Sequence, residues 1–301
     1  MIDRPRRRKL ALFLAALIAT WGILALIPPA HRPPHPYYVG TSKPPLVVAH
    51  RGGADFAPEG TLEALRHAVA LGADVLEVDI RRSADGVLVI FHDRQVGRVT
   101  DGTGRVEEQT SRQLQALDAG YKWSPDSGRT FPYRGQGLRI ASFTELLEAF
   151  PGRYLLVELK TRDADAAKQL CATLRADGRE SRTVVAAFAH ESLRVFREAC
   201  PEVATSASGR EVAIDYVLRT LRLDGLYEPA FDSYHLPLSY GPLDLVDGDL
   251  VESARARGLA VEVWTINHEA EMERLIELGV DGIMTDRPDR LIQLLRSTGR
   301  R

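Results

Sequence analysis

The sequence is poor in cysteine and carries almost no net charge. Its 301 residues include only two cysteines, Cys171 and Cys200, which excludes a disulfide framework and a cysteine-ligated zinc site. A single disulfide between them stays open; otherwise we expect both to be small core or surface residues. With 45% hydrophobic and 27% charged residues, the composition is that of an ordinary globular protein, which excludes collagen-like, low-complexity and disordered chains.

The net charge of −2 is the sum of two opposite parts. Residues 1–44 contain seven basic residues and one acid, while the rest of the chain contains 32 basic and 40 acidic residues. A nucleic-acid-binding protein concentrates basic residues on its folded domain, so this distribution argues against that class.

The N-terminal segment has no charged residue from Leu10 to Ile27. As a helix, these eighteen residues reach roughly 27 Å, close to the ~30 Å hydrocarbon core of a bilayer. Because no A-x-A-like cleavage site follows, we expect a transmembrane signal-anchor helix over 10–27, with a cleaved secretory signal as the alternative. The basic tail 1–9 should stay cytoplasmic, which places the rest of the chain on the outer, periplasmic or extracellular, side of the membrane.

The next segment, 28–44, is rich in proline and is predicted to be a stiff linker to a folded domain over 45–298. In that domain short apolar strands alternate with amphipathic helices, which is typical of βα repeats. The strand candidates are Leu46–Ala49, 75–79, Val87–Phe91, Tyr154–Leu159, Thr183–Ala187, Val203–Ser206, Ser233–Pro237, Val261–Ile266 and Gly282–Thr285. Eight or nine strands without a G-x-G-x-x-G loop favour an α/β fold of the closed (β/α)8 TIM-type barrel class over a doubly wound sheet.

The stretch 94–141 interrupts this alternation and is rich in turn residues and aromatic residues. A loop of this length inside a compact domain is usually functional or a subdomain. We therefore expect an inserted segment that caps the mouth of the barrel.

Acidic side chains lie near the ends of two strand candidates. Glu77 and Asp79 are two residues apart and share one face of a strand, as do Glu158 and Lys160 on another. In a barrel these pairs lie at the C-terminal mouth, where active sites are built. Buried carboxylates need a cation, and ligand oxygens alone favour a hard divalent ion, Ca²⁺ or Mg²⁺, over zinc; Mn²⁺ would use the same oxygens.

Two histidines follow strand candidates at the same mouth: His50 follows the first, and His92 follows Val87–Phe91. The Asp85-Gly86 turn leaves no room for a crossover helix, so the strand before His92 should return antiparallel and place His92 level with Glu77. Imidazoles with a pKa near neutrality suit a general acid and a general base.

Two basic residues adjoin this acidic cluster. Arg51 and Lys160 are suited to bind an anion such as phosphate. Together with the histidine pair and a divalent cation, they indicate cleavage of a phosphoryl ester.

These residues belong to motifs that run in order from about Val47 to Leu295. The motifs are His50-Arg51-Gly52, Ala57-Pro58-Glu59-Gly60-Thr61, Leu76-Glu77-Val78-Asp79, Phe91-His92-Asp93, Thr100-Asp101-Gly102-Thr103-Gly104, Val157-Glu158-Leu159-Lys160, Val263-Trp264-Thr265-Ile266-Asn267 and Asp281-Gly282-Ile283-Met284-Thr285-Asp286-Arg287-Pro288. The set resembles the glycerophosphodiester phosphodiesterase family. The resemblance implies a TIM-type barrel, a divalent cation, and hydrolysis of a glycerophosphodiester to glycerol 3-phosphate and an alcohol.

The resemblance also implies a role for each matching residue. It implies an acid/base pair of His50 and His92, metal ligands Glu77, Asp79 and Glu158, phosphate-binding Arg51 and Lys160, Glu59 beside the metal site, and Trp264 flanking the glycerol. In the mechanism usually inferred for the family, one histidine deprotonates the glycerol 2-hydroxyl, which attacks phosphorus, and the other protonates the departing alcohol. Water then opens the cyclic phosphate.

Two positions depart from the family pattern. Gly60 stands where the family commonly has asparagine, which removes one side-chain amide near the metal site. Ala141-Ser142 replaces the usual Pro-Thr, and Ser142 can still cap the helix that follows.

Two other functions compete with this one. Lysophospholipase D cleavage of a lysolipid at the same site is suggested by the predicted anchor and by the aromatic residues of the insertion, which could contact an acyl chain. A non-catalytic phosphodiester-binding membrane protein is disfavoured, because such a protein would usually have lost a ligand or a histidine, and all are present here.

Overall fold

The computed structural model describes residues 4–41 and 45–301. Residues 1–3 of the predicted tail and 42–44 of the predicted linker lie outside the described residues. The strands are β1 (Leu46–Ala49), β2 (Val75–Arg82), β3 (Leu88–Ile90), β4 (Tyr154–Leu159), β5 (Thr183–Ala186), β6 (Ala204–Thr205), β7 (Ser233–Leu236), β8 (Ser239–Tyr240), β9 (Leu243–Asp244), β10 (Ala260–Val263) and β11 (Gly282–Thr285).

Helices alternate with these strands through the described part of the chain. They are α1 (Arg4–Leu24), α2 (Pro36–Gly40), α3 (Leu62–Leu71), α4 (Ser111–Gln115), α5 (Phe143–Ala149), α6 (Ala164–Ala176), α7 (His190–Ala199), α8 (Gly209–Thr220), α9 (Gly248–Arg257), α10 (Glu269–Leu278) and α11 (Pro288–Ser297). Ser142 caps α5 as predicted, since its hydroxyl accepts a hydrogen bond from the Glu145 backbone N–H at 3.2 Å.

The parallel strands form a barrel. They pair in the order β6-β5-β4-β2-β1-β11-β10-β7, and a parallel bridge between Ser206 and Ser233 joins the two ends of this series. Alternate residues of β1 pack in different layers: Val47 and Ala49 join the cluster that includes the helices, while Leu46 and Val48 pack inside the barrel. The predicted (β/α)8 architecture is confirmed.

The strand before His92 returns antiparallel to β2 as predicted, but its predicted register is wrong by one residue. Ile90 pairs with Ile80, so continuing the ladder places His92 level with Val78 and not with Glu77. The reason is the connecting loop, which runs from Ser83 to Val87 and holds one residue more than the predicted register allows. A hydrogen bond of 2.9 Å from the Ser83 backbone N–H to the Val87 carbonyl closes it.

The segment predicted as a linker packs in part against the base of the barrel, where the strands begin. Tyr37 of α2 is completely buried in the apolar cluster inside the barrel. The Tyr154 hydroxyl donates to the Gly40 carbonyl at 2.6 Å, and Arg32 lies 3.3 Å from the Asp232 carboxylate. Part of residues 28–44 therefore belongs to the folded body.

The N-terminal helix α1 ends at Leu24, three residues before the predicted end of the apolar run. Over residues 4–41 and 45–301, no helix combines the length and the apolar character that crossing a membrane requires. The structure thus gives no support to the predicted transmembrane helix over 10–27.

The two cysteines are paired. Cys171 of α6 and Cys200 at the end of α7 form a disulfide, with 5.6 Å between their Cα atoms. This pairing settles the alternative that the sequence leaves open.

A buried acid inside the barrel generates a prediction about stability. Glu262 of β10 is fully buried, and its nearest imidazole nitrogen, Nε2 of His235, lies 3.8 Å from its Oε1. Burial raises the pKa of Glu262 from 4.5 to about 8, whereas the unfolded chain releases this proton near the ordinary value. The folded state therefore binds more protons in this window, and its free energy of unfolding falls as the pH rises from about 4.5 to about 8.

We expect Glu262→Gln to melt at a higher temperature than the parent at about pH 9 and at a similar temperature at about pH 5, because glutamine keeps the shape but cannot ionise. Thermal melts of both proteins at both pH values test this. Glu277→Gln, at an exposed position, is the matched control and should follow the parent at both. Equal melting temperatures of parent and Glu262→Gln at high pH would contradict the assignment.

Candidate active site

The predicted site residues converge at the C-terminal edge of the barrel. Asp79 and Glu158 lie side by side in the C-terminal halves of β2 and β4. His50 directly follows Ala49, whose partner in β11 is Thr285, so the chain positions His50 and Asp286 as neighbours. The parallel register thus brings together residues that are far apart in the sequence.

Three carboxylates form the acidic centre of this edge. One oxygen from each of Glu77, Asp79 and Glu158 lies within 4.8 Å of the others. Burial, together with the charge of Asp79, raises the pKa of Glu77 to about 8, and burial also raises that of Glu158. Crowded, buried carboxylates with only oxygen donors fit a hard divalent cation, and the predicted ligand set is therefore suited to Ca²⁺, Mg²⁺ or Mn²⁺.

Two basic side chains lie against this acidic centre. Nε of Arg51 is 3.2 Å from Oδ2 of Asp79, while Nζ of Lys160 is 3.2 Å from the other oxygen of Asp79 and 2.7 Å from Oε1 of Glu158. The backbone N–H of Arg51 donates to Glu77 at 2.6 Å, and Arg51 adopts a left-handed φ of 50° there. Such a backbone angle costs about 1 kcal/mol or more in a non-glycine residue, so surrounding contacts must hold it.

His50 is oriented by a half-buried carboxylate. Its Nδ1 lies 2.7 Å from Oδ1 of Asp286, whose other oxygen accepts a hydrogen bond of 2.8 Å from the Asn267 amide. Burial alone lowers the pKa of His50, but the bond to Asp286 and the charge of Glu77 outweigh it and raise the pKa above its ordinary value. Because Nδ1 of His50 is bonded to Asp286, its other ring nitrogen, Nε2, is available for proton transfer.

His92 has an equivalent partner from its own motif. Its Nδ1 lies 2.6 Å from Oδ1 of Asp93, which also pairs with Arg98. Burial lowers the pKa of His92 below its ordinary value, although Asp79 and Asp93 act against this shift. The two imidazoles therefore have pKa values displaced in opposite directions, which suits a pair in which one begins protonated and the other neutral.

Glu59 lies beside the site in an ion-pair network. It accepts hydrogen bonds from Arg51 at 2.9 Å and from Arg98 at 2.8 Å, and it is not one of the three clustered carboxylates. Gly60, which follows it, has a left-handed φ of 69°. Glycine and asparagine both tolerate this conformation, which gives a physical reason why either residue can stand here.

Two aromatic side chains border the site near Lys160. Trp264 follows β10, and its ring meets the Phe188 ring edge to face at 5.9 Å between centroids. Nζ of Lys160 lies 5.6 Å from the Phe188 ring centroid, and Phe188 is 64% exposed. The structure thus adds Phe188 to the predicted Trp264.

The insertion contacts several mouth residues. Nε1 of Trp123 donates to the Ala54 carbonyl at 2.9 Å, in the loop after β1. Arg98 reaches Glu59, and Glu107 pairs with Arg81 at 2.9 Å. The structure therefore places part of residues 94–141 against the mouth.

Sequence reasoning missed the residues that hold the site residues in place. Asp286 and Asn267 lie within the recognised motifs. The signal for their role was that Asp286 follows β11, the neighbour of β1, and that Asn267 follows β10, the strand beyond it. Arg81 is buried and shares a face of β2 with Asp79; it donates to the His92 carbonyl at 3.0 Å and to the Lys160 carbonyl at 3.1 Å. An arginine two residues after a predicted ligand, on the same strand face, was the available signal.

Comparison with known proteins decides the family. Residues 50–290 match the model of the glycerophosphoryl diester phosphodiesterase family. The chain belongs to this family. This membership confirms the resemblance drawn from the motifs.

Three family relatives show how far the likeness extends. A glycerophosphodiester phosphodiesterase of Caldanaerobacter subterraneus is 32% identical over 84% of this chain and 99% of its own length. A human lysophospholipase D is 26% identical over 83% of this chain and 86% of its own. A phosphodiesterase of Oleispira antarctica, solved with the product sn-glycerol-3-phosphate, is 26% identical with a TM-score of 0.68, covering 86% of this chain and 99% of that chain.

The acidic centre of this family member generates a prediction about metal binding. Because Glu77 holds a proton up to a pKa of about 8 and a metal ligand must be ionised, protons and the cation compete. We expect the affinity for Ca²⁺, Mg²⁺ or Mn²⁺ to rise as the pH rises toward about 8, with protons released on binding. Calorimetric titration in two buffers of different ionisation enthalpy measures both quantities.

Asp79→Asn should weaken this binding by more than about tenfold, because it removes one ligand charge. The matched control is Glu108→Gln, which removes an exposed carboxylate of the insertion and should leave the affinity unchanged. Equal loss in both variants would mean that the cation binds elsewhere.

Proposed function

We propose that this chain hydrolyses glycerophosphodiesters to glycerol 3-phosphate and an alcohol, with a divalent cation and with His50 and His92 as the acid/base pair. The observation that carries the proposal is the convergence of three carboxylates, two buried and one half-buried, with two imidazoles, each backed by its own carboxylate. The name of the Caldanaerobacter relative and the product in the Oleispira structure support this choice of substrate.

In this proposal the cation would be held by Glu77, Asp79 and Glu158, and it would orient the substrate and neutralise developing negative charge. One imidazole accepts the proton of the glycerol 2-hydroxyl as its oxygen bonds to phosphorus. The bond from phosphorus to the alcohol oxygen breaks, and the other imidazole gives its proton to that oxygen. Water then opens the cyclic phosphate, with the same groups acting in reverse.

The basic and aromatic residues hold the rest of the substrate. Arg51 and Lys160 would pair with phosphate oxygens, since both already lie within 3.2 Å of the acidic centre. The Trp264 and Phe188 rings, on the Lys160 side, would pack against the glycerol carbons. Arg81 would keep the strand ends that bear His92 and Lys160 in register.

We also propose that the barrel functions on the outer side of the membrane, in a periplasmic or extracellular space. The disulfide between Cys171 and Cys200 supports this location, because disulfides persist in oxidising compartments.

Lysophospholipase D cleavage at the same site is the second candidate. The human relative of that name favours it, as does an exposed apolar rim near the mouth that includes Phe188 and Tyr240. Turnover of matched acylated and deacylated substrates separates the two reactions.

A non-catalytic, purely binding role is disfavoured because the predicted metal ligands and both imidazoles are all present.

We expect His50→Ala and His92→Ala each to lower kcat on glycerophosphocholine by about 10²-fold to 10⁴-fold, the usual contribution of a positioned acid or base. A chelator in excess should abolish the parent activity, and added divalent cation should restore it. His31→Ala is the matched control, since His31 bonds to Ala256 at the base and should not affect the rate. Retention of full activity in His50→Ala, or in chelator, would refute the mechanism.

Asp286→Asn tests the group that orients His50. Because the amide keeps the shape but loses the charge, we expect kcat to fall by about tenfold or more with little change in KM. Because the raised pKa of His50 suits the imidazole that begins protonated, the alkaline limb of the pH–rate profile should also move to lower pH when the charge of Asp286 is lost. Arg287→Gln, which loses a pair with Asp289 and a contact with the Phe56 ring, is the adjacent control. An unchanged pH profile would assign Asp286 a structural role alone.

A further inference from the structure

We infer that the base of the barrel binds a lipid bilayer through α1 and an apolar stripe on α8, so that the catalytic mouth faces away from the membrane. The first observation concerns α8. Its outward side carries Ile214 and Val217, and Leu221 continues this side directly after its last residue; the three are 38%, 53% and 46% exposed. Their spacing places them on one face of the helix, while Glu211 and Asp215 on the other face are buried.

The second observation is that α1 continues this stripe. Nε1 of Trp21 donates to the Leu221 carbonyl at 2.9 Å, and the Ile27 carbonyl lies against Gly225 just beyond α8. We call the joined region the basal apolar surface. It comprises Trp21, Leu26, Ile27, Ile214, Val217, Leu221 and Leu226, all of them at least 38% exposed.

From the basal apolar surface, α1 extends away from the barrel as an apolar helix. Its exposed residues lie on every side and include Leu10, Leu12, Phe13, Leu14, Leu17 and Ile18. A helix that is apolar on all sides is normally covered by protein core or by lipid. The barrel does not cover this part of α1, since every residue from Arg8 to Trp21 is exposed.

The charges at the limits of this region identify the partner. Arg8 and Lys9 are exposed at one end of the apolar part of α1, and Arg222 is exposed beside Leu221 at the other. Basic residues that flank an apolar surface match the anionic headgroups and acyl region of a membrane. A second copy of this surface would instead bring the same positive charges together. Lipid is therefore the occupant that the charges favour.

The topology then sets the orientation. The loop after α8 leads to the first residue of β7, so the C-terminal end of α8 lies at the base of the barrel, where Tyr37 is also buried. His50, His92 and the acidic centre lie at the opposite edge. With the base on lipid, substrate enters from the aqueous phase. Resting on the proposed function, this orientation favours water-soluble, deacylated glycerophosphodiesters over lysolipids held in the bilayer.

Sedimentation of the full chain with vesicles of phosphatidylglycerol and phosphatidylethanolamine tests the surface. We expect Val217→Glu with Leu221→Glu to weaken vesicle binding by about tenfold or more, since two apolar contacts are replaced by charges facing an anionic surface. The matched control is Tyr240→Glu with Leu243→Glu, which places the same charges on exposed residues of the β8–β9 hairpin, at the mouth side. Melting temperatures of both double variants verify folding.

Two outcomes would overturn the inference: loss of binding in the hairpin variant but not in the α8 variant, or a stable dimer that persists unchanged with vesicles.

Turnover provides the second measurement. Vesicles should leave glycerophosphocholine hydrolysis unchanged and should not accelerate hydrolysis of lysophosphatidylcholine; acceleration would place the mouth on the bilayer. If neither substrate is hydrolysed but the α8 variant alone loses vesicle binding, the proposed function fails and the membrane surface stands.

Discussion

The site depends on the close approach of three carboxylates at one edge of the barrel. Glu77, Asp79 and Glu158 repel one another, and burial adds to the cost, as the raised pKa of Glu77 shows. Arg51 and Lys160 offset part of this charge through contacts of 3.2 Å or less. A bound cation would offset the rest, so the electrostatic repulsion that makes folding less favourable would also favour binding of a metal ion.

The imidazoles of the site depend on supports that come from different parts of the chain. Asp286, at the end of the last strand, orients His50 at the end of the first, because β11 and β1 are neighbours in the closed barrel. His92 is held by Asp93 and, through its carbonyl, by Arg81. Closure of the barrel is therefore a requirement for the arrangement of the site and not only for the stability of the fold.

The two ends of the barrel have different physical tasks. At the base, Tyr37 and other apolar side chains fill the interior, and Glu262 remains protonated up to a pKa of about 8. At the mouth, charged side chains remain partly exposed to solvent, and ion pairs and contacts with the insertion hold them in place. The proposed contact of the base with lipid extends this division, because it assigns attachment to one end and chemistry to the other.

From the sequence alone, the alternation of strands and helices predicted the barrel, and the ends of its strands predicted where the acids, His50 and His92 would lie. These features are local: they follow from periodicity 2 in strands, from the alternation of strands with amphipathic helices and from ordered motifs. Three other features depended on loop length and on barrel closure: the register of His92, the pairing of Asp286 with His50 and the packing of Tyr37. Such features required the tertiary structure, because they join residues whose spacing in the chain carries no information about their distance in space.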